Sequence, residues 1–597
     1  MALFKKKTIS PQSEGFVYRN SDISLLRMGI LSVALGVIVG VGTIVFRYVI
    51  ALIFNVSFYG KLSLQYSPDI KTDASIWGVY IIFVPVIGAI ILVWLIKTFV
   101  KNSESHGVPE VISRLYHARE RKNTTRGVVM GFSAALSIGT GGSTGNESPY
   151  IQVGTSFAEG MSQHINLSKK QRNILISAGA AAGLATCLNA PLTGIIFAIE
   201  LVLVTINITS LFPVAVCTLT AVYIYRFIFG AGPAFLLSGF DGYKYELIHM
   251  QMIVIFLAFG IATGVLSVIS IKIFKYIERF FSRIESKYTR HCAGMLIVGI
   301  ILYLMLTYTG SYYVDGIGEY AVFDVLIRNI LNPWFLLLLV FLKIVATAIT
   351  VGSGSSGGVF TPIIFIGAIF GGFCYLLLNI YFPELKVDPH VFVMAGIAGM
   401  VASTIGVFLT GIIVVFEMFG NIHYVYPVII TASIAFAVRK LMKTDSVYAM
   451  SLKEKGLIVP EGLQAAIIPA INAHNIMSNS FCIMSLEKAY QQSKIKERII
   501  SKNFVVITEK GRILGIMRNP IVSEETIELF REHICSKVML FHTGTSLLEI
   551  TKNMQDNSLD YAIISRRIRI DKPYSVKGLI TRSEIDVITM KEYNWLN

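Results

Sequence analysis

The sequence predicts an all-α polytopic membrane domain of two repeated halves with many short or broken helices, followed by a small α+β tail. Three observations carry this. Long apolar runs recur from about Leu26 to Met450 in a chain of 597 residues with only 15% charged residues. One Gly-rich stretch occurs twice, GTGGSTGNESPYIQVG from Gly139 and GSGSSGGVFTPIIFIG from Gly352. Beyond Met450 the composition turns mixed polar and charged.

The mean hydropathy is +0.64. Met28–Phe54 and Trp77–Val100 are each long enough to span a bilayer. The first residues, MALFKKKTISPQ, are basic and polar, with no apolar core of a cleavable leader. The net charge of +15 falls largely in membrane-flanking loops, so it points to the positive-inside rule and not to nucleic acid. Lys5–Lys7 place the N-terminus in the cytoplasm, and the basic loop Arg114–Arg126, after two spans, is expected there too; the C-terminal tail is likewise expected to be cytoplasmic. The six cysteines form no CxxC pair and read as reduced thiols, with no disulfide or metal framework.

In chain order, residues 1–26 are a cytoplasmic segment. Gly107 then Pro109 is a break and a helix start, with Glu110 in the first turn. Apolar helices follow near Val128–Ile138 and Gln171–Leu184. In the Gly-rich stretch between them, a carboxylate, Glu147, precedes Pro149, which suits a first helical turn. Gly-rich turns at helix starts gather backbone N–H groups into an anion-binding concavity. A Glu in such a segment is costly and marks a functional position. Taken alone, the stretch also reads as a surface loop with a solvated Glu.

The repeat alters that balance. Gly145/Gly358, Pro149/Pro362 and Gly154/Gly367 keep one spacing of 213 residues. A second match, Leu192–Ile196 with Leu409–Ile413, is followed in each half by a Glu, Glu200 and Glu417. These two carboxylates are expected to be structural, accepting from buried backbone N–H groups at helix ends. The membrane domain is assigned to 27–450, with halves at about 27–230 and 250–450. If each half holds an odd number of spans, the two are inverted. Two Gly-rich helix starts converging at the midplane make a site for an anion, and neither stretch holds a Lys or Arg that would bind it too tightly for release.

These residues resemble the CLC family of chloride channels and proton/chloride exchangers. Ser105-His106-Gly107-Val108-Pro109 is similar to its GSGIP motif, Gly145-Asn146-Glu147-Ser148-Pro149 to G(K/R)EGP, and Gly358-Val359-Phe360-Thr361-Pro362 to GxFxP. Gly179–Glu200 is also like the family's segment. The resemblance implies a homodimer in the lipid bilayer, with a separate pore in each subunit and two inverted halves per subunit. It makes Glu147 the gating glutamate, whose carboxylate occupies an anion site and leaves it on protonation. It gives anion-binding roles to Ser105, His106, Gly107, Val359, Phe360 and Tyr448; a plain aromatic anchor at the interface is the alternative for Tyr448.

Three departures from the pattern matter. His106 stands where a Ser donates to the central anion; alternatively the imidazole turns aside and Ser105 or backbone amides bind. Asn146 and Ser148 replace a cation and a Gly beside Glu147. Leu201 stands where exchangers usually carry a second proton-passing Glu, and leucine cannot carry a proton. That absence inclines the expected mechanism to a voltage- or pH-gated chloride channel, with a proton-coupled antiporter as the alternative.

Residues 451–473 read as a linker and 474–597 as a helix–strand–turn–strand unit occurring twice. Its parts are helix Leu486–Ser493 with strands Phe504–Thr508 and Ile513–Met517, then helix Ser546–Asn557 with strands Tyr561–Ser565 and Val576–Thr581. This resembles a CBS domain pair. GLITRSEI is like that family's nucleotide motif, with Thr581 facing an adenine nucleotide and Glu584 in place of the usual Asp; a purely structural pair is the alternative. No cofactor is required. No HExxH, Walker loop or paired carboxylates point to an enzyme. A nucleotide-sensing signalling protein with a membrane anchor is the remote reading, since an anchor needs no duplicated half-helices.

Overall fold

The computed structural model describes residues 23–65, 71–100, 107–117, 124–165, 167–203, 206–232, 250–326, 330–385, 387–454, 473, 477–494, 504–510, 512–518, 527–545, 547–557, 559–565 and 576–583. Among them, seven helices are long and apolar enough to cross a membrane by length and composition.

The first half runs α1 (Leu25–Tyr59), a 3-10 turn leading into α2 (Val84–Phe99), α3 (Val108–His117), α4 (Thr124–Gly139), α5 (Glu147–Gln163), α6 (Lys169–Leu188), α7 (Pro191–Phe197) and α8 (Ile208–Phe229). The second runs α9 (Met250–Ser282), α10 (Lys287–Thr309), α11 (Glu319–Leu326), α12 (Pro333–Ser353), α13 (Phe360–Tyr381), α14 (Pro389–Met400), α15 (Phe408–Phe419) and α16 (Val425–Leu441). Among the described residues each half has eight α-helices, with the Gly-rich stretch leading into the fifth (α5, α13) and the second sequence match at the seventh (α7, α15), so the sequence repeat is carried into the structure. α17 (Val447–Glu454) follows. It extends into the start of the expected linker, whose remainder up to residue 472 lies outside the described residues.

Local chemistry sets many of the boundaries. Ser24, Ser168, Ser286, Asn332 and Asp388 cap helix starts with their side chains. Pro333 and Pro389 take the first helical position, where a missing N–H costs nothing. Within each half the helices cross at glycines. A Cβ on Gly154 of α5 would lie 2.0 Å from the Gly179 carbonyl of α6; the matching contact in the second half is Gly367 of α13 against the Gly396 carbonyl of α14, at 2.5 Å. Without an interhelical hydrophobic drive in lipid, such small residues let backbones pack closely.

The starts of α7, α13 and α15 are among those that carry no side-chain cap from their own neighbourhood. A carboxylate from the opposite half reaches each. Glu200 accepts from Leu409 N (2.9 Å), Thr410 N (2.9 Å) and Thr410 Oγ1 (2.6 Å) at the start of α15. Glu417 accepts from Leu192 N (2.8 Å), Thr193 N (2.6 Å) and Thr193 Oγ1 (2.7 Å) at the start of α7. The structural role expected of these two glutamates is the one they play, and it is exercised across the repeat.

In the tail, β1 (Phe481–Ser485), α18 (Leu486–Lys494), β2 (Phe504–Glu509), β3 (Arg512–Arg518) and α19 (Ile527–Glu532) precede β4 (Val538–His542), α20 (Leu547–Asp556), β5 (Tyr561–Ser565) and β6 (Val576–Thr581). Each three-stranded sheet pairs its first two strands in parallel and its last two antiparallel. The expected helices and strands are present, but each unit opens with a strand, β1 or β4, that the sequence reading did not include. The units also exchange edges. Ser478, ahead of β1, bridges Leu579 of β6, and Cys535, ahead of β4, bridges Ile516 of β3.

Replacing Glu200 with Ala leaves three donors at the start of α15 without their acceptor, at a cost of about 3 kcal/mol or more, since bonds to charged groups are the stronger class. Glu417→Ala is expected to cost less, because Glu417 is only half-buried while Glu200 is 1% exposed. Thermal unfolding of the detergent-solubilised protein checks both, with Glu200→Gln losing less than Glu200→Ala. An unchanged melting temperature for Glu200→Ala would show that the cross-repeat bonds do not hold the halves together.

Candidate functional site

The two Gly-rich stretches meet. Gly145 N donates to Gly358 O (2.8 Å) and Gly358 N donates to Gly145 O (2.9 Å), an antiparallel bridge between the halves. Around it, Thr144 Oγ1 donates to Gly358 O, Ser355 Oγ to Ser137 Oγ, and Ser143 Oγ lies 3.2 Å from Thr347 Oγ1. This buried lattice of hydroxyls and backbone groups fixes the starts of α5 and α13 against each other. A polar loop at this depth is tolerated only where its groups are satisfied in this way.

Glu147 begins α5 and is fully buried. Its carboxylate crosses into the other half and sits on the start of α13. Oε1 accepts from Phe360 N (2.6 Å), and Oε2 accepts from Thr361 Oγ1 (2.9 Å) and more weakly from Thr361 N (3.4 Å). The positive end of α13 adds to these donors. Glycine is required on both sides. A Cβ on Gly358 would stand 1.7 Å from Glu147 Oε1, and one on Gly145 would stand 2.0 Å from Oε2. The carboxylate thus fills a space shaped for a small anion.

The quasi-symmetry is broken at this point. The residue 213 positions after Glu147 is Phe360, which has no carboxylate to return to the start of α5, and Asn146 gives α5 no side-chain cap. Asn146 instead accepts from the Cys187 thiol at 3.0 Å.

Several of the other expected site residues lie close by. Gly107, in the left-handed region (φ 83°), directly precedes α3, and a Cβ there would come 3.0 Å from Ser148 Oγ at the start of α5. Val359 and Phe360 form the start of α13 and are buried. Tyr448, near the start of α17, is 4% exposed, and its hydroxyl has no hydrogen-bond partner among the described residues. α17 packs on α3. A buried, unpartnered phenol is unusual. Leu201 is buried in a π-helical turn, Ala198–Val202, that packs on α3. Ser105 and His106 lie outside the described residues, so the His-for-Ser substitution has no geometry here. In the tail, Thr581 closes β6 with Oγ1 3.0 Å from Ser583 Oγ, and Glu584 lies outside the described residues.

Sequence reasoning missed the hydroxyl of Thr361 as a partner of Glu147. Its signal was in plain view, since Thr361 directly follows the two residues assigned to the anion. It also missed that a β-bridge joins Gly145 to Gly358. Their equivalence in the repeat was visible, but equivalence does not imply contact.

Comparisons with known proteins bear on the family and the fold. The profile of the family described as voltage gated chloride channel matches residues 88–440. An H(+)/Cl(-) exchange transporter ClcA from Vibrio cholerae is 29% identical over 372 residues, covering 60% of this chain and 76% of that protein. A transporter of the same name from Yersinia pestis is 25% identical over 384 residues, covering 63% and 77%. Among solved structures, a slow cyanobacterial Cl-/H+ antiporter has a similar fold (TM-score 0.62, 22% identity, 72% of this chain and 98% of that one). A eukaryotic CLC transporter gives the same TM-score of 0.62 at 17% identity over 94% of this chain and 98% of its own, so that likeness extends into the tail.

Gly358→Ala places a methyl group where the Glu147 carboxylate rests and is expected to expel it. Anion flux at neutral pH then rises toward that of Glu147→Ala and loses most of its pH dependence. Thr361→Val, which removes one bond to a charged acceptor, shifts the release of the carboxylate by about tenfold. Flux assays across a pH series check both; a Gly358→Ala protein with the wild-type pH profile would detach the cradle from gating.

Proposed function

The chain belongs to the voltage gated chloride channel family, and from that premise we propose that it is a proton-coupled chloride exchanger in which Glu147 both blocks the anion path and carries the proton. It is a multi-pass integral membrane protein of an anion-transporting family, and that family is not one of enzymes. The observation that carries the proposal is the seat of the Glu147 carboxylate on Phe360 N and Thr361. A carboxylate there is a tethered anion in competition with chloride. Protonation removes its charge and weakens its hold on the N–H donors, so chloride enters as the side chain leaves. The charged carboxylate and chloride are then alternative occupants of one site, so anion entry goes with proton uptake by Glu147, which is the physical basis of coupled exchange.

Relatives at 25–29% identity are named H(+)/Cl(-) exchange transporters, which favours exchange over the channel reading. One observation favours the channel: Leu201, buried and apolar, occupies the place of the second proton carrier. Chloride is the anion in this reading, held by the start of α13, the Gly107 turn and the Tyr448 hydroxyl, with Ser105 and His106 as further candidate ligands from the sequence motif.

Both termini are assigned to the cytoplasm. Glu454 of α17 pairs with Lys275 (3.2 Å) and Arg279 (3.7 Å) at the end of α9, so the tail begins beside a basic turn that the positive-inside rule keeps inside. The working unit is a homodimer with one pathway per subunit. The tail is a CBS-like pair, with Thr581 its candidate contact to an adenine nucleotide.

Reconstitution in liposomes tests the mechanism. An imposed chloride gradient is expected to drive protons uphill in the opposite direction to chloride. Glu147→Ala retains anion flux, now insensitive to pH, with proton movement lost. Wild-type chloride flux with no proton movement would sink the exchanger reading and leave the gated channel.

A further inference from the structure

A second polar cluster lies away from Glu147, where α3, α4 and α5 meet. Arg114 of α3 pairs with Glu159 of α5 at 2.7 Å, and Arg126 of α4 pairs with Glu110 of α3 at 2.9 Å. All four side chains are largely buried, with 15% or less of any exposed. Glu110 and Arg114 are one turn apart on α3, so the two pairs form one continuous row of alternating charge across three helices. Near them on α5 is Gln152, 3% exposed. It stands one turn beyond Ser148 and two turns before Glu159, on the face of α5 that meets α3 and α4. Gly127, next to Arg126, packs on that same face: a Cβ there would lie 3.3 Å from the Gln152 carbonyl and against Ser156.

The ion pairs leave hydrogen-bonding capacity over. Arg114 Nε and Arg126 Nε are buried and have no partner among the described residues, and neither has the side-chain nitrogen or oxygen of Gln152. A guanidinium has five donors in a fixed fork, and here the carboxylates take the outer nitrogens while both inner N–H groups remain. Buried polar atoms of native proteins are satisfied almost without exception. Three donor groups, two of them cationic, belong to the three helices that meet at this junction. Donors of this kind suit an anion. The neighbouring carboxylates offset the charge, so the hold is weak enough for release. Apolar packing would suit none of these atoms, and a cation would face two arginines.

We propose that the Nε–H groups of Arg114 and Arg126, with the Gln152 amide, form a separate halide-sized anion station. It lies along α3 beyond Gly107 and beside the start of α4, where Arg126 stands, on the side expected to face the cytoplasm. This rests on the reading that the chain carries chloride, and gives that ion a waiting position before the Glu147 cradle. The row of ion pairs holds the two guanidinium groups in place, and Gln152 supplies a neutral donor from the helix that begins with Glu147.

Bromide is the probe, and anomalous scattering from crystals of the full chain grown in bromide is the measurement. Density is expected in the cluster, in addition to density along the path by Glu147 and Tyr448. Arg114→Lys keeps the pairing charge toward Glu159 but removes the Nε–H donor, and Gln152→Leu removes the amide; each is expected to erase the cluster density alone. In flux assays the same variants raise the half-saturating chloride on the cytoplasmic side by about tenfold, the cost of one lost bond to an ion, and leave the external side unchanged. Bromide along the path with none in the cluster overturns this inference and leaves the anion-transport reading standing. Bromide at neither place overturns both. A changed proton-to-chloride ratio with unaltered chloride affinity assigns the cluster to protons and overturns the station.

Discussion

The structure depends on the two-way backbone bond between Gly145 and Gly358. It joins two antiparallel turns, one from each half, in the interior of the membrane domain. Because it uses only backbone groups, it brings the chains nearer than side-chain contacts allow. The space left beside it is bounded by the starts of α5 and α13. That space is rich in N–H donors and poor in bulk, and the Glu147 carboxylate fits there only because both flanking residues lack a Cβ. Helix dipoles and N–H groups supply positive potential with no full cation nearby in either Gly-rich stretch. Such a potential attracts an anion without the tight hold of a full cation.

The same device recurs around the site with one exception. α7, α13 and α15 each begin with donors that a carboxylate from the opposite half satisfies: Glu417, Glu147 and Glu200. The first and third form a reciprocal pair under the repeat. Glu147 has no such mate, since Phe360 occupies its equivalent position. Two of the carboxylates therefore cap helix starts across the halves, and Glu147 is a cap of the same kind to which the proposed mechanism gives a second task. A helix cap and a tethered blocking anion are chemically the same object; what separates them is whether another anion can take its place.

Much of this was legible in the sequence. Hydropathy marked the long helices, and the conserved spacing of Gly145/Gly358 and Gly154/Gly367 revealed the duplication. Glu200 and Glu417 were recognisable as helix-end acceptors because each follows its Gly at the same distance. What stayed hidden were contacts with no periodic signature. The partners of Glu200 lie more than two hundred residues away, and nothing local names them. The bond from Thr361 to Glu147, and the pairing of Arg114 with Glu159, need the packing of separate helices before they exist. β1 and β4 escaped because five-residue apolar runs such as Phe481–Ser485 carry too little pattern to separate strand from linker. Ser105 and His106, by contrast, are clear in the sequence motif and lie outside the described residues.

The reciprocal caps also bear on how the chain is made. Synthesis proceeds from the N-terminus, so α7 reaches the membrane while Glu417 is still unwritten. Until α15 arrives, the first turn of α7 and the carboxylate of Glu200 have no lasting partners. The first half is therefore inserted before it is finished. It has to wait in the bilayer, or in the care of the insertion machinery, with its inner surface open. Completion of the two halves is a single late event, and any stalled or truncated chain that ends before α15 presents the cell with an exposed acid and an uncapped helix in the midst of lipid.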